Sequence, residues 1–136
     1  MMNPQYQAAW FRCPLRPEKL PPVFGVVTAC NPKGQTLGHA GNETRTAELV
    51  RHLQGIDVVF FPVCGGSHDG THLEPGFGIV GLSIQELREL GNAFGQDALF
   101  YVTKGDVVLV SCTDDTSVRI ATWKDRWIPA PGSSHA

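Results

Sequence analysis

The sequence predicts an α+β protein: a single-domain, two-layer sandwich with a ferredoxin-like βαββαβ core and one or two strands added by a C-terminal β-hairpin. Two observations predict this fold. Hydrophobic patterns of strand and helix alternate in the order strand, helix, strand, strand, helix, strand, and the length of 136 residues suits one domain. We expect an N-terminal arm over residues 1–22, the domain over residues 23–128 and a flexible tail over residues 129–136.

The composition is that of an ordinary globular protein and excludes several classes. The chain is 42% hydrophobic and 18% charged, with a formal net charge of -2 at pH 7. That charge offers no electrostatic footprint for nucleic acid or for an anionic membrane. There is no apolar run of membrane-spanning length, no secretory signal pattern and no C-x-x-C pair among the four cysteines. We therefore expect a cytoplasmic protein with reduced, buried thiols.

The first part of the chain predicts an arm followed by a central strand. Tyr6, Trp10 and Phe11 form an aromatic patch, and the prolines between residues 14 and 22 keep the backbone extended. The run over residues 23–30 is apolar on both faces, which is typical of a strand in the middle of a sheet.

A polar loop and a helix follow the first strand. The strand breaks at Asn31-Pro32, and a loop with several glycines leads to Asn42. Asn42 is the expected N-cap, because its side-chain oxygen can accept a hydrogen bond from an amide of the first helical turn. The apolar stripe that includes Leu49 and Leu53 runs to Gly55, where the helix is expected to stop.

The middle of the chain predicts two strands and a second helix. The strands cover residues 57–63 and 77–82 and are joined by a long loop over residues 64–76. Ser83 and Glu86 have the spacing of a capping box at the start of the second helix. Gly95 supplies the left-handed residue that ends it.

The last part of the chain predicts a hairpin and an edge strand. Residues 98–102 and 107–112 alternate as strands around a turn at Lys104-Gly105-Asp106. Residues 117–123 form the expected edge strand, and Trp123 and Trp127 anchor the end of the domain.

The predicted topology brings three polar loops to one edge of the sheet, and we place a candidate ligand site there. Arg45 is the residue that most needs a partner, because a cation near a helix N-terminus opposes the helix dipole. Its partner is expected to be a carboxylate from the long loop, Asp69 or Glu74, or else an anionic ligand. The candidate ligand-binding residues are Thr28, Asn31, Asn42, Arg45, Asp69, Glu74 and Gln96.

Known catalytic and cofactor motifs are missing from the sequence. Gly34 and Gly38 do not continue into the G-K-[ST] of a phosphate-binding loop, and neither a dinucleotide fingerprint nor a G-x-S-x-G motif is present. The segment with His68, Asp69, His72 and Glu74 holds metal-ligand residue types. Its glycines argue against the helix that would align the two histidines. The sequence therefore assigns no metal, no cofactor and no catalytic residue.

Several motifs in combination resemble a small bacterial family known only as a domain of unknown function. They are Thr28-Ala29-x-Asn31-Pro32-x-Gly34, Asn42-x-x-Arg45, Asp69-Gly70 with Glu74 and Phe77, and Phe94-Gly95-Gln96-x-Ala98. The resemblance spans about residues 23–103. The family carries no assigned activity, so the resemblance implies segment boundaries and no catalytic residues.

Two hypotheses of function follow. In the first, the protein binds a small polar or anionic metabolite in a pocket at one end of the sheet, with or without catalysis. In the alternative, it is an interaction or homo-oligomerising module without catalysis, and forms a homodimer or binds another protein. The binding surface would then be an exposed strand edge or the surface of Trp10, Trp123 and Trp127.

Overall fold

The computed structural model describes residues 4–130, and within them the chain forms one eight-stranded sheet. The strands are β1 Trp10–Cys13, β2 Val23–Thr28, β3 Val59–Gly66, β4 Leu73–Val80, β5 Ala98–Thr103, β6 Asp106–Ser111, β7 Ser117–Thr122 and β8 Trp127–Pro129. The helices are α1 His39–Gly55, α2 Ile84–Ala93 and the short α3 Trp123–Arg126. No helix in the described part of the chain has both the length and the apolar character needed to cross a bilayer.

The strand order is β7-β6-β5-β2-β4-β3-β1-β8. Neighbouring strands are antiparallel except β1 and β8, which are parallel, so the sheet is mixed. The prediction that the first apolar strand is central is confirmed, because β2 lies between β4 and β5.

The sheet curls into a half-barrel. Three strands separate β1 from β5, which on a flat sheet would place them about 19 Å apart at about 4.8 Å per strand. The ring centroids of Phe11 on β1 and Phe100 on β5 are instead 4.9 Å apart. Trp123, which follows β7 on the far side of the sheet, stacks on Phe11 at 5.0 Å. The concave face is therefore closed by aromatic side chains from both ends of the sheet.

The predicted two-layer ferredoxin-like α+β sandwich is wrong. The protein is mostly sheet, with α1 and α2 on the convex face and a second core on the concave face. Strand β1 comes from the segment predicted to be an arm, and it pairs with β3 and β8, more than fifty residues away in sequence. Such pairing leaves no local pattern in the sequence, so it was not anticipated.

Several local predictions are confirmed. The capping box at Ser83 and Glu86 is present with both of its hydrogen bonds, and Gly95 has a φ of +72° after α2. Strands β5 and β6 form the predicted hairpin, and Lys104 and Gly105 in its turn both have positive φ. Each of these features depends on residues that are adjacent in sequence.

Two boundaries differ from the prediction. Helix α1 begins at His39 after Gly38, so Asn42 lies inside the helix and is not its N-cap. Strands β3 and β4 extend to Gly66 and Leu73, which reduces the predicted loop to residues 67–72. A Cβ atom at Gly66 would lie 2.0 Å from the carbonyl oxygen of His72, so only glycine allows the strands to stay paired this far. Most of the predicted tail, residues 131–136, lies outside the described residues.

Candidate functional site

Three segments meet at one end of the sheet: the loop after β2, the start of β4 and the turn after α2. The amide of Lys33 donates to the carbonyl of Gly95 at 2.7 Å. The hydroxyl of Thr28 donates to the carbonyl of Pro75 at 2.8 Å and also accepts from the amide of Cys30. These bonds define the candidate site, which we call the loop end of the sheet.

Asn31 and Asn42 fix the loop after β2. Asn31 is left-handed, with a φ of 49°, a conformation that asparagine tolerates better than most residues. Its amide donates to Oδ1 of Asn42 at 3.0 Å, and its own Oδ1 accepts from Nδ2 of Asn42 and from the amide of Leu37. Asn42 therefore holds the loop against the first turns of α1, which is a different role from the predicted N-cap.

Arg45 joins the end of β2 to the end of α2. Its Nε donates to the carbonyl of Ala29 at 2.6 Å and its Nη2 donates to the carbonyl of Phe94. The predicted ion pair with Asp69 or Glu74 is wrong, because these two carbonyls take the guanidinium. Nη1 makes no hydrogen bond with any described residue. The cation is thus mainly a clamp on the backbone.

Gln96 performs a similar task from the opposite side. Its side chain is almost completely buried, with the residue only 7% exposed. Nε2 donates to the carbonyl of Cys30 at 3.0 Å and to that of Phe94 at 3.2 Å. Arg45 and Gln96 therefore share the Phe94 carbonyl and together hold the loop end rigid.

Glu74 is the carboxylate at the loop end. Its Oε2 accepts a long hydrogen bond from Nδ2 of Asn31 at 3.4 Å and lies 2.9 Å from Nε2 of His72. Its Oε1 accepts no hydrogen bond from a described residue. The side chain is 25% exposed, so Glu74 is held from one side and open to solvent from the other.

Asp69 does not join this group. It lies in the turn of the β3–β4 hairpin, where it accepts hydrogen bonds from the hydroxyl of Ser67 and from the amide and hydroxyl of Thr71. These bonds, that of the Thr71 amide first, lower the pKa of Asp69 from 3.8 to about 2. His68 in the same turn packs on Trp10, with ring centroids 4.3 Å apart. Asp69 is therefore a turn residue.

A metal centre is not formed by these residue types. Across residues 4–130, no three or more His, Cys, Asp or Glu side chains converge in a way that could hold a metal ion. The thiols of Cys64 and Cys112 are poorly suited to nucleophilic chemistry, because burial raises the pKa of both, that of Cys112 to about 11. The arrangement is suited to hydrogen bonding and ion pairing.

Sequence reasoning missed two residues near the loop end, Tyr6 and Gly65. The ring of Tyr6 lies over Phe100, with centroids 6.5 Å apart. Burial raises the pKa of Tyr6, and the negative charges of Asp97 and then Glu74 raise it further. Gly65 is the cross-strand partner of Glu74. Neither carries a sequence signal, since Tyr6 belongs to the supposed arm and Gly65 to the supposed loop.

Comparison with known proteins gives one match. The model of the family described as "Protein of unknown function (DUF3293)" matches residues 27–99, more than half of the chain. Neither the curated proteins nor the solved structures give a match. The matched region includes β3, β4, α1, α2 and nearly all of the loop end. The chain belongs to this family, which confirms the resemblance to a family of unknown function.

Proposed function

We propose that this member of the DUF3293 family binds a small polar ligand at the loop end of its sheet. The observation that supports it best is the state of Glu74: a partly buried carboxylate held by Asn31 and His72, with one oxygen free to accept a hydrogen bond. A group held in this way can bind a ligand without first losing side-chain entropy. Arg45 and Gln96 at the same end are also fixed, because their side chains donate to the carbonyls of Ala29, Cys30 and Phe94.

The position of Arg45 narrows the ligand class. Arg45 is poorly placed to hold an anion, because two of its three guanidinium nitrogens already donate to carbonyls. Glu74 is instead an acceptor that favours hydrogen-bond donors. The geometry therefore supports a polar ligand that donates to Glu74 over an anion held by Arg45.

Ligand screening by thermal shift and calorimetry tests this proposal. The screen contains phosphates, carboxylates, amines, sugars and nucleosides, and we expect at least one class to raise the melting temperature. Glu74→Gln removes the charge at nearly constant volume and should weaken that ligand at least tenfold. Glu48→Gln, at an exposed position on α1, is the matched control and should leave binding unchanged. Failure of all classes to bind, or equal binding by the Glu74→Gln variant, would contradict the proposal.

A second candidate function is self-association through β7. Among residues 4–130 this strand is paired only with β6 and ends the strand order, and Val118 on it is 38% exposed. An unpaired edge can accept a strand from a second copy of the chain. Of the tryptophans in the alternative hypothesis, Trp123 is buried and Trp127 donates to the carbonyl of Cys13, so the edge is the better surface. Light scattering should show a dimer, and a monomer at high concentration would exclude it.

A further inference from the structure

The concave face has a gap in its row of side chains beside Glu74. Phe11 on β1, Gly65 on β3 and Glu74 on β4 are successive cross-strand partners. All three lie on the concave face, because Phe11 belongs to the concave core, Gly65 alternates in phase with Val63, and Glu74 alternates in phase with Val80. The row therefore runs from an aromatic ring, across a position without a side chain, to a carboxylate.

Two neighbouring glycines on β3 and β4 differ from Gly65 in this respect. A Cβ atom at Gly78 would lie 2.4 Å from the ring of Phe61, and one at Gly66 would lie 2.0 Å from the carbonyl oxygen of His72. These glycines are required because their space is already filled. A Cβ atom at Gly65 would meet no heavy atom of the described residues within 4 Å, apart from its chain neighbours. Gly65 thus leaves open space next to a carboxylate, and we call this space the Gly65 recess.

Aromatic rings form the rest of the surroundings. Phe11 packs edge to face on Phe100 at 4.9 Å, and Tyr6 packs edge to face on the same ring at 6.5 Å. Tyr6 and Phe100 are only partly buried, so their rings reach the surface at this end. Burial and the negative charges of Asp97 and Glu74 raise the pKa of the Tyr6 hydroxyl.

The nearby arginines donate to backbone carbonyls and do not pair with the negative charge of Glu74. Arg12 on β1 donates to the carbonyls of Ser67 and His68 at the tip of the hairpin. Arg45 is bonded to the carbonyls of Ala29 and Phe94. His72, which pairs with Glu74, carries a full charge only when it is protonated. A carboxylate beside aromatic faces, with neighbouring cations bonded elsewhere, favours an organic cation.

We propose that the Gly65 recess binds a small organic cation, a primary ammonium or guanidinium attached to an apolar group. The charged group pairs with Glu74, and the apolar group lies over Gly65 against the rings of Tyr6 and Phe100. This inference rests on the proposed function, since it names the ligand class of the same end of the sheet.

Three aromatic probes of similar size and different charge test the inference at pH 7.5: benzylammonium, benzyl alcohol and benzoate. We expect benzylammonium to bind at least tenfold more tightly than the other two, as measured by calorimetry and by NMR shift changes. The Gly65→Val variant fills the recess with a residue that strands favour, and should weaken benzylammonium at least tenfold. The Gly55→Val variant, at the end of α1, is the matched control, because its Cβ also meets no atom within 4 Å. It should bind benzylammonium as the unmodified protein does.

Thermal unfolding of the Gly65→Val variant shows whether it folds, and Gly65→Ala is the milder replacement if it does not. Equal binding of benzylammonium by a folded Gly65→Val variant would overturn the recess as the site. Benzyl alcohol or benzoate could instead bind more tightly than benzylammonium and lose that binding in the Glu74→Gln variant. This result would overturn the proposal of a cationic ligand and leave the proposed function intact. Failure of these probes and of the whole ligand screen would overturn both.

Discussion

The two faces of the sheet are built from different kinds of contact. The convex core joins α1 and α2 to the strands next to them in sequence, through buried leucines such as Leu53 and Leu87. The concave core is aromatic, and its central contact joins residues 11, 100 and 123. Local patterns thus specify the convex face, whereas the concave face exists only once the whole sheet has curled.

We expect the largest loss of stability from a substitution in the concave core. Phe11→Ala removes a fully buried ring that packs on both Phe100 and Trp123, and it should lower the free energy of unfolding by about 3 to 5 kcal/mol. Leu53→Ala, fully buried on the convex face, is the control and should cost about 2 to 4 kcal/mol. Urea denaturation measures both. A smaller loss for Phe11→Ala than for Leu53→Ala would show that the half-barrel is not held closed by this ring.

The same division explains what the sequence could predict of the fold. The capping box at Ser83, the hairpin turn at Lys104 and the central position of β2 were predictable, because each depends on neighbouring residues or on an apolar run. Because β2 is buried on both faces, the sheet needs a covering layer on each side. A two-layer sandwich supplies only one of these layers. What could not be predicted is the cover itself, since β1 and α3 come from segments without a regular pattern.

The position of the candidate site could be predicted from the sequence, but the roles of its residues could not. The sequence predicts that the loops of Asn31, Glu74 and Gln96 meet at the same edge, and the structure places them there. Their roles depend on distances that a sequence does not contain. The sequence predicts a carboxylate partner for Arg45. In the structure its guanidinium donates hydrogen bonds to two backbone carbonyls instead.

Arg45 joins the helices of the convex face to the candidate site at the loop end. Arg45→Met keeps the apolar stem but leaves the Ala29 and Phe94 carbonyls without these donors, and should cost about 1 to 3 kcal/mol. Arg51→Met, at an exposed position on the same helix, should change the free energy of unfolding by less than about 0.5 kcal/mol. Chemical denaturation gives both values. Equal values would mean that the clamp contributes nothing to stability.

We expect the smallest change in stability from Asp69, which lies in the turn of the β3–β4 hairpin, outside both cores. The pKa of Asp69 is lowered to about 2, so its ionised form stabilises the fold above pH 3.8, and that contribution is lost as the pH falls towards 2. Asp69→Asn should therefore lower the melting temperature slightly at pH 6, and the difference from the unmodified protein should vanish near pH 2. Asp114→Asn is a useful comparison, because hydrogen bonds, the Thr116 side chain first, also lower the pKa of Asp114, in the β6–β7 turn near the opposite edge of the sheet. If the Asp69→Asn difference persists unchanged at pH 2, the turn is held by its shape and not by the charge. The β3–β4 hairpin, whose strands contribute to both faces, would then end in a tip that does not respond to pH.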